Sequence, residues 1–212
     1  MTLVGGAPVV PGTLEVALGI APRLVAVDGG ADTVLRSDRF PEAVIGDMDS
    51  ISPEARYAFA DCLVREAEQD STDFEKALRA FPASLTVAVG FLGARADHFL
   101  ACLSVLARRR AACILLGETD CVAIAPRHLS LDLAPGTRVS LWPLGPGTGS
   151  SRGLRWPIDG LALSPDGRVS TSNEATGPVH LRLSGGPMAL ILPADAIGAL
   201  IRGLGWGGVT GE

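Results

Sequence analysis

Short apolar runs recur through the first half of the chain: Thr2-Leu3-Val4, Leu24-Val25-Ala26-Val27, Ala43-Val44-Ile45, Leu85 to Val89 and Cys113 to Leu116, with a weaker run at Cys62 to Arg65. Each is nearly continuous in apolar residues, the pattern of strands covered on both faces. Between them lie helical stretches: Pro11 to Gly19, about Ala31 to Arg36, one opening at Ser52-Pro53-Glu54, one opening at Asp70 and reaching about Ala80, and a long one ending near Arg110. Serine before proline marks a helix start, and Thr72 and Glu75 have capping-box spacing. Asp97 reads as the N-cap of the long helix. Strand and helix in alternation predict a parallel α/β sheet with right-handed crossovers.

After Leu116 the pattern changes. Val122–Ile124, Leu129–Leu133, Arg138–Leu141, Leu161–Leu163, Arg168–Ser170, Val179–Leu183 and Ala189–Leu192 are short and turn-bounded, as in an antiparallel β-sandwich. Leu144 to Gly153, rich in Gly, Pro and Ser, reads as a loop within it, and Ser172-Asn173 as a polar turn. An amphipathic piece, Ala194 to Arg202, precedes a glycine-rich tail. The expected organisation is therefore an α/β domain over residues 1–117 followed by a sandwich domain over 118–212.

Candidate chemistry collects where the first-half strands end. Gly5-Gly6, Asp28-Gly29-Gly30, Gly46-Asp47-Met48-Asp49-Ser50 and the stretch from Gly90 to Asp97 all follow strands, at the edge where open α/β sheets bind ligands. Asp28, Asp47, Asp49, Asp70, Asp73 and Asp97 can gather there. In an extended chain Asp47 and Asp49 point the same way and repel each other unless a cation lies between them. An all-oxygen set without His or Cys suits a hard ion, Mg²⁺ above all, which arrives with substrate phosphates. A solvated Asp-rich turn is the plain alternative for an isolated D-x-D. Asp73 and Lys76 lie at i and i+3 near a helix's positive end, presenting a carboxylate and an ammonium on one face. Lys76 is the sole lysine among 18 basic residues, which singles it out as a point charge for phosphate. Arg95, after Gly93-Ala94, offers a fork for phosphate oxygens near a helix N-terminus.

Composition narrows the classes. A net charge of -5 argues against a broad nucleic-acid surface, and Arg108-Arg109-Arg110 falls where it offsets a helix dipole. No apolar run reaches the roughly 18 residues of a membrane span, and no leader pattern opens the chain. A cytoplasmic protein is expected. Cys62, Cys102, Cys113 and Cys121 lack C-x-x-C spacing and read as buried thiols. There is no G-x-x-x-x-G-K-[ST], which argues against an ordinary P-loop kinase. Gly149-Ser150-Ser151-Arg152-Gly153, with Asp159 and His180 after it, matches a hydrolase elbow in letters only, since no strand-then-helix context is expected there.

Taken together, Asp28-Gly29-Gly30-Ala31, Gly46-Asp47-Met48-Asp49-Ser50, Asp70 to Leu78, Arg95-Ala96-Asp97-His98, Gly153-Leu154-Arg155-Trp156-Pro157 and Ser170 to Glu174 resemble the thiamine pyrophosphokinase family over nearly the whole chain. The resemblance implies an α/β nucleotide-binding domain and a β-sandwich, a homodimer with shared active sites, and transfer of the diphosphate of ATP to the hydroxyl of thiamine, leaving AMP. It implies Asp28, Asp47, Asp49, Asp73 and Asp97 as Mg²⁺ and phosphate-site acids, with Asp47, Asp49 or Asp73 taking the hydroxyl proton. It makes Gly29, Gly30, Lys76, Gly90 and Arg95 the ATP site, and Ser172 with Asn173 the thiamine site. The chain departs from the family pattern at Gly93-Ala94, where two glycines are common, and at Ala175-Thr176, where some members carry an aromatic. The aromatic partner of thiamine is thereby left open, and Trp156 reads equally well as core. Two rival functions remain: a diphosphokinase acting on another heterocyclic alcohol such as a pterin, and a non-catalytic Mg-nucleotide sensor.

Overall fold

The computed structural model describes residues 1–66, 68 and 70–206. Residues 207–212, which carry most of the glycine-rich tail, lie outside them. The chain divides into two compact units, the first comprising Met1–Val105 with Ala111–Glu118, the second Leu106–Arg110 and the chain from Thr119 on.

In the first unit, β1 (Thr2–Val4), β2 (Leu24–Val27), β3 (Ala43–Gly46), β4 (Leu63–Arg65), β5 (Thr86–Val89) and β6 (Cys113–Leu116) alternate with α1 (Pro11–Ile20), α2 (Gly30–Arg36), α3 (Pro53–Ala58), α4 (Asp73–Ala80) and α5 (Ala96–Arg109), whose last turn from Leu106 on groups with the second unit. The ladder runs β6-β5-β1-β2-β3-β4 and every pairing is parallel. Leu3 in β1 lies opposite Val25 on one side and Ala88 on the other. Every residue of β1, β2, β3, β5 and β6 is buried, which explains why their apolar residues run on without alternation. The edge strand β4 is half-exposed.

Side chains set the helix starts as their chemistry requires. Ser52 accepts from the Ala55 amide at 3.1 Å ahead of Pro53, and Thr72 Oγ1 accepts from the Glu75 amide at 3.2 Å. Asp97 falls inside the first turn of α5 rather than at its cap, where its carboxylate accepts from the His98 amide at 3.0 Å. Two glycines let β1 and β5 release the chain side by side. A Cβ on Gly90 would come within 2.4 Å of the Gly5 carbonyl, and Gly90 has φ +75°, which suits glycine. Gly30 opens α2 directly against the end of β1, where a Cβ would lie 1.9 Å from the Val4 oxygen.

The second unit is antiparallel throughout: β7 (Asp120–Ile124), β8 (His128–Leu131), β9 (Arg138–Pro143), β10 (Gly147–Leu154), β11 (Ala162–Leu163), β12 (Ser170–Gly185) and β13 (Met188–Pro193), closed by α6 (Ile197–Leu204). Two expectations are corrected here. Gly147–Leu154 is a strand, not a loop. Its partner β12 is one strand of 16 residues where two were expected. The first part of β12 pairs with β9 and its last part with β8 and β10, so one strand serves two ladders. A Cβ on Gly149 would sit 2.9 Å from the Arg182 oxygen, so the glycines that suggested a loop are what allow β10 to lie so close to β12. No helix among the described residues is long and apolar enough to cross a membrane.

Gly30→Ala is expected to lower the unfolding free energy by about 3 kcal/mol, the upper range for overpacking against rigid backbone. Gly19→Ala in α1, where a Cβ meets nothing within 4 Å, should instead raise it by about 0.4–1 kcal/mol. Urea unfolding of the two variants beside the parent measures both.

Candidate active site

Parallel strands deliver their carboxyl ends to one edge, and the chain leaves that edge through residues in unusual conformations. Asp28 follows β2 with φ 44°, and Met48 follows β3 with φ 70°, both left-handed. The extended alternation expected across Asp47-Met48-Asp49 therefore does not persist. Met48 turns inward, 5% exposed, and its carbonyl accepts from Arg56. Asp47 joins Asp28 and Asp73, and one carboxylate oxygen from each of the three lies within 4.8 Å of the others. Asp49 stands outside this triple, exposed, accepting from the Ser50 hydroxyl at 2.8 Å while its amide donates to Asp47 at 3.1 Å. Asp70 is exposed and also outside it.

Lys76 completes the acidic corner. Its side chain is only 3% exposed, and Nζ donates to Asp73 at 2.9 Å and to the Glu66 carbonyl at 3.0 Å. Two of its three protons are thus committed, and Lys76 still lines the cavity. Burial pushes the Asp28 carboxyl above its ordinary value, against the opposing pull of its Ser50 hydrogen bonds, and Asp49 nearby adds to the rise. Three acceptor-only groups so close, one of them desolvated, fit a hard divalent cation.

These residues line a cavity of about 610 Å³ contained in the first unit, with Gly5, Gly6 and Gly29 in its wall. Gly90 and Arg95 line it as well. Gly30, expected beside the phosphates, is buried against β1 and acts on the site by placing α2. Arg95 reaches back to Asp97 through two hydrogen bonds of 3.1 and 2.6 Å, and this guanidinium holds the Asp97 carboxyl down at about 2. Asp97 belongs to this exposed pair and not to the triple. The wall also includes Phe74, His98, Ala101 and Cys102, which lie outside the strand-end stretches, and Ser50 and Phe91, which lie within them but were given no role there. Phe74 and Phe91 directly follow Asp73 and Gly90, the only local hint to them.

In the second unit Ser172 adopts φ 56° where the pairing of β12 with β9 slips, and its amide donates to the Ser140 hydroxyl at 2.9 Å. Asn173, 5% exposed, is turned inward. Its Oδ1 accepts from the Trp156 amide at 3.1 Å and its Nδ2 donates to the Trp156 carbonyl at 2.7 Å. Trp156 is no core residue: it is 54% exposed, with the Arg155 guanidinium 5.0 Å from its ring centroid. The hydrolase reading fails on geometry. Ser151 lies within β10, its hydroxyl accepting from the Ile158 amide, and the His180 ring pairs with Ser130.

An α/β unit with clustered carboxylates at its strand ends and a buried lysine beside them, followed by an antiparallel unit, is the class of protein that can hold a metal-bound phosphate chain. Comparison with known proteins agrees. Residues 16–116 match the family model for the thiamin pyrophosphokinase catalytic domain, and residues 128–186 match that for its vitamin B1 binding domain. Thiamine pyrophosphokinase 1 of Oryza sativa subsp. japonica is 30% identical, over 70% of this chain and 70% of that one. Among solved structures, thiamin pyrophosphokinase from Geobacillus thermodenitrificans superposes with a TM-score of 0.78 at 25% identity, covering 92% of this chain and 97% of that one. That from Candida albicans gives 0.79 at 16% identity, covering 91% and 88%, a likeness of fold. The chain belongs to the thiamine pyrophosphokinase family.

The raised Asp28 value has a thermodynamic consequence. Without a cation, folding holds this carboxyl more tightly protonated than the unfolded chain does, so stability falls as pH rises from the ordinary carboxylate value through the raised one. Asp28→Asn should therefore be more stable than the parent at pH 7 in EDTA, and Mg²⁺ should raise the urea midpoint of the parent but not of the variant. Urea midpoints with EDTA and with Mg²⁺ measure both changes.

Proposed function

We propose that the protein transfers the diphosphate group of ATP to the hydroxyl of thiamine, giving thiamine diphosphate and AMP. The observation that carries this reading is the meeting of Asp28, Asp47 and Asp73 within 4.8 Å, beside buried Lys76, in a cavity of nucleotide size. On this reading residues 1–117 form the ATP domain, and residues 118–212 form the thiamine domain, whose two ladders pack as a β-sandwich. The match to a vitamin B1 binding domain favours thiamine over a pterin.

Asp28, Asp47 and Asp73 would hold Mg²⁺, with Asp49 and Asp97 at the margin of the phosphate site. Bound there, the ion neutralises phosphate charge that the carboxylates alone would repel. Lys76 keeps Asp73 aimed into the cluster and turns its remaining proton to the cavity, while Gly29 and Gly90 keep the edge free of Cβ atoms for phosphate approach and Gly30 places α2. Arg95 trades its Asp97 partner for phosphate oxygens. The thiamine hydroxyl oxygen forms a bond to the β-phosphorus of ATP, the bond from that phosphorus to the α,β-bridging oxygen breaks, and AMP leaves. The hydroxyl proton passes to a carboxylate among Asp47, Asp49 and Asp73. Ser172 and Asn173 serve thiamine, Asn173 by clamping the backbone of Trp156 so that an exposed aromatic face meets the cationic ring. We further propose a cytoplasmic homodimer with shared active sites; the four free cysteines suit a reducing compartment.

Incubation with Mg-ATP and thiamine should yield thiamine diphosphate and AMP; thiamine monophosphate with ADP, or no turnover, would overturn the reading. Asp47→Asn and Asp73→Asn should each reduce kcat by at least about 100-fold in folded protein, since each leaves developing charge poorly compensated.

Asn173→Ala should raise KM for thiamine about tenfold, the equivalent of about 1.4 kcal/mol, and leave KM for ATP unchanged. In the Trp156→Ala background the same change should add nothing further. Additive losses in that double-mutant cycle would mean that Asn173 touches thiamine directly.

A further inference from the structure

The lining of the cavity at the sheet edge is of two kinds: charged at Asp28, Asp47, Asp73 and Lys76, and apolar at Phe91, Ala101 and Cys102. Asp28 follows β2, Phe91 follows β5, and β1 lies between these strands. At about 4.8 Å per strand those two strand ends are therefore roughly 10 Å apart. The second kind of lining is apolar at neutral pH, because burial pushes the Cys102 thiol up to about 12 and keeps it protonated.

Phe91 is the fixed point of that apolar lining. Its ring centroid lies 4.8 Å from that of Phe74 at an interplanar angle of 52°, and Phe74 is itself 3% exposed. Cε1 and Cζ of the ring also lie against Gly5, where a Cβ would come within 2.8 Å of both. A half-buried aromatic ring, braced by one aromatic neighbour and by a backbone lacking a side chain, is preorganised and still borders the cavity. Arg95 and His98 line the same cavity, and an apolar aromatic ring beside them suits a flat heterocycle.

We infer that Phe91 is the nucleobase platform of this site: the purine of the nucleotide stacks on its ring while the phosphates lie at the acidic residues. The inference rests on the nucleotide reading above and adds a determinant for the base, which the strand-end acids and glycines do not supply. Stacking of a base on an aromatic side chain is sequence-tolerant and strong enough to be lost measurably on truncation to alanine.

The test uses Mg-ATP and Mg-tripolyphosphate, which share the phosphate chain and differ in the nucleoside, titrated into the intact protein without thiamine. The parent should bind Mg-ATP the more tightly. Phe91→Ala should weaken Mg-ATP about tenfold or more and leave Mg-tripolyphosphate unchanged. Phe91→Tyr should keep the preference, and Phe91→Leu, which refills the volume against Phe74 without a ring, should lose it while unfolding at the parent temperature. Equal weakening of both ligands in the alanine and leucine variants, or unchanged Mg-ATP binding, overturns the platform alone. A parent that binds neither ligand overturns the nucleotide reading and the platform with it.

Discussion

Mutual repulsion among Asp28, Asp47 and Asp73 is the constraint on which the site depends. Three carboxylates with oxygens within 4.8 Å of one another repel, and each opposing charge or bound proton lowers the cost of holding them there. Lys76 supplies part of the opposition, buried and bonded to Asp73, and Asp28 supplies another part by its raised affinity for a proton. What remains matches a divalent cation carrying phosphate. The scaffold must hold this arrangement rigidly, and the fully buried parallel strands β1, β2, β3 and β5 do so, each fixed by neighbours on both sides.

Rigidity at the sheet is joined to conformational exception at its edge. Asp28 and Met48 occupy left-handed backbone, and Gly5 and Gly90 approach too closely for any side chain. Such positions are unfavourable by local standards and persist because the surrounding core over-determines them. The same principle operates at Ser172, whose left-handed turn sends Asn173 inward to hold Trp156 by both of its backbone polar groups. In both units left-handed backbone at single residues sets where the neighbouring side chains point.

Much of the first unit was legible because its signals are local. Continuous apolar runs of strand length mark buried strands, Ser52-Pro53 and Thr72-x-x-Glu75 mark helix starts, and acids after glycines mark strand ends. The second unit was less legible. Gly147 to Gly153 carries loop composition, and only its antiparallel partner makes it a strand. The long β12 hid behind polar residues that belong to a strand exchanging partners between two ladders.

By itself, the sequence determined the parallel α/β alternation, the change to antiparallel segments after Leu116, and the residence of acids, glycines, Lys76 and Arg95 at strand ends. These follow from near-neighbour chemistry, in which each residue's preference is expressed within a few positions. Which acids meet, how Arg95 and Asp97 occupy each other, that Trp156 faces outward while Asn173 is buried, and that Phe91 is braced by Phe74 and Gly5 were decided only in three dimensions. Those outcomes depend on backbone turns at single residues and on contacts between segments far apart in the chain, and no local pattern encodes a distance of that kind.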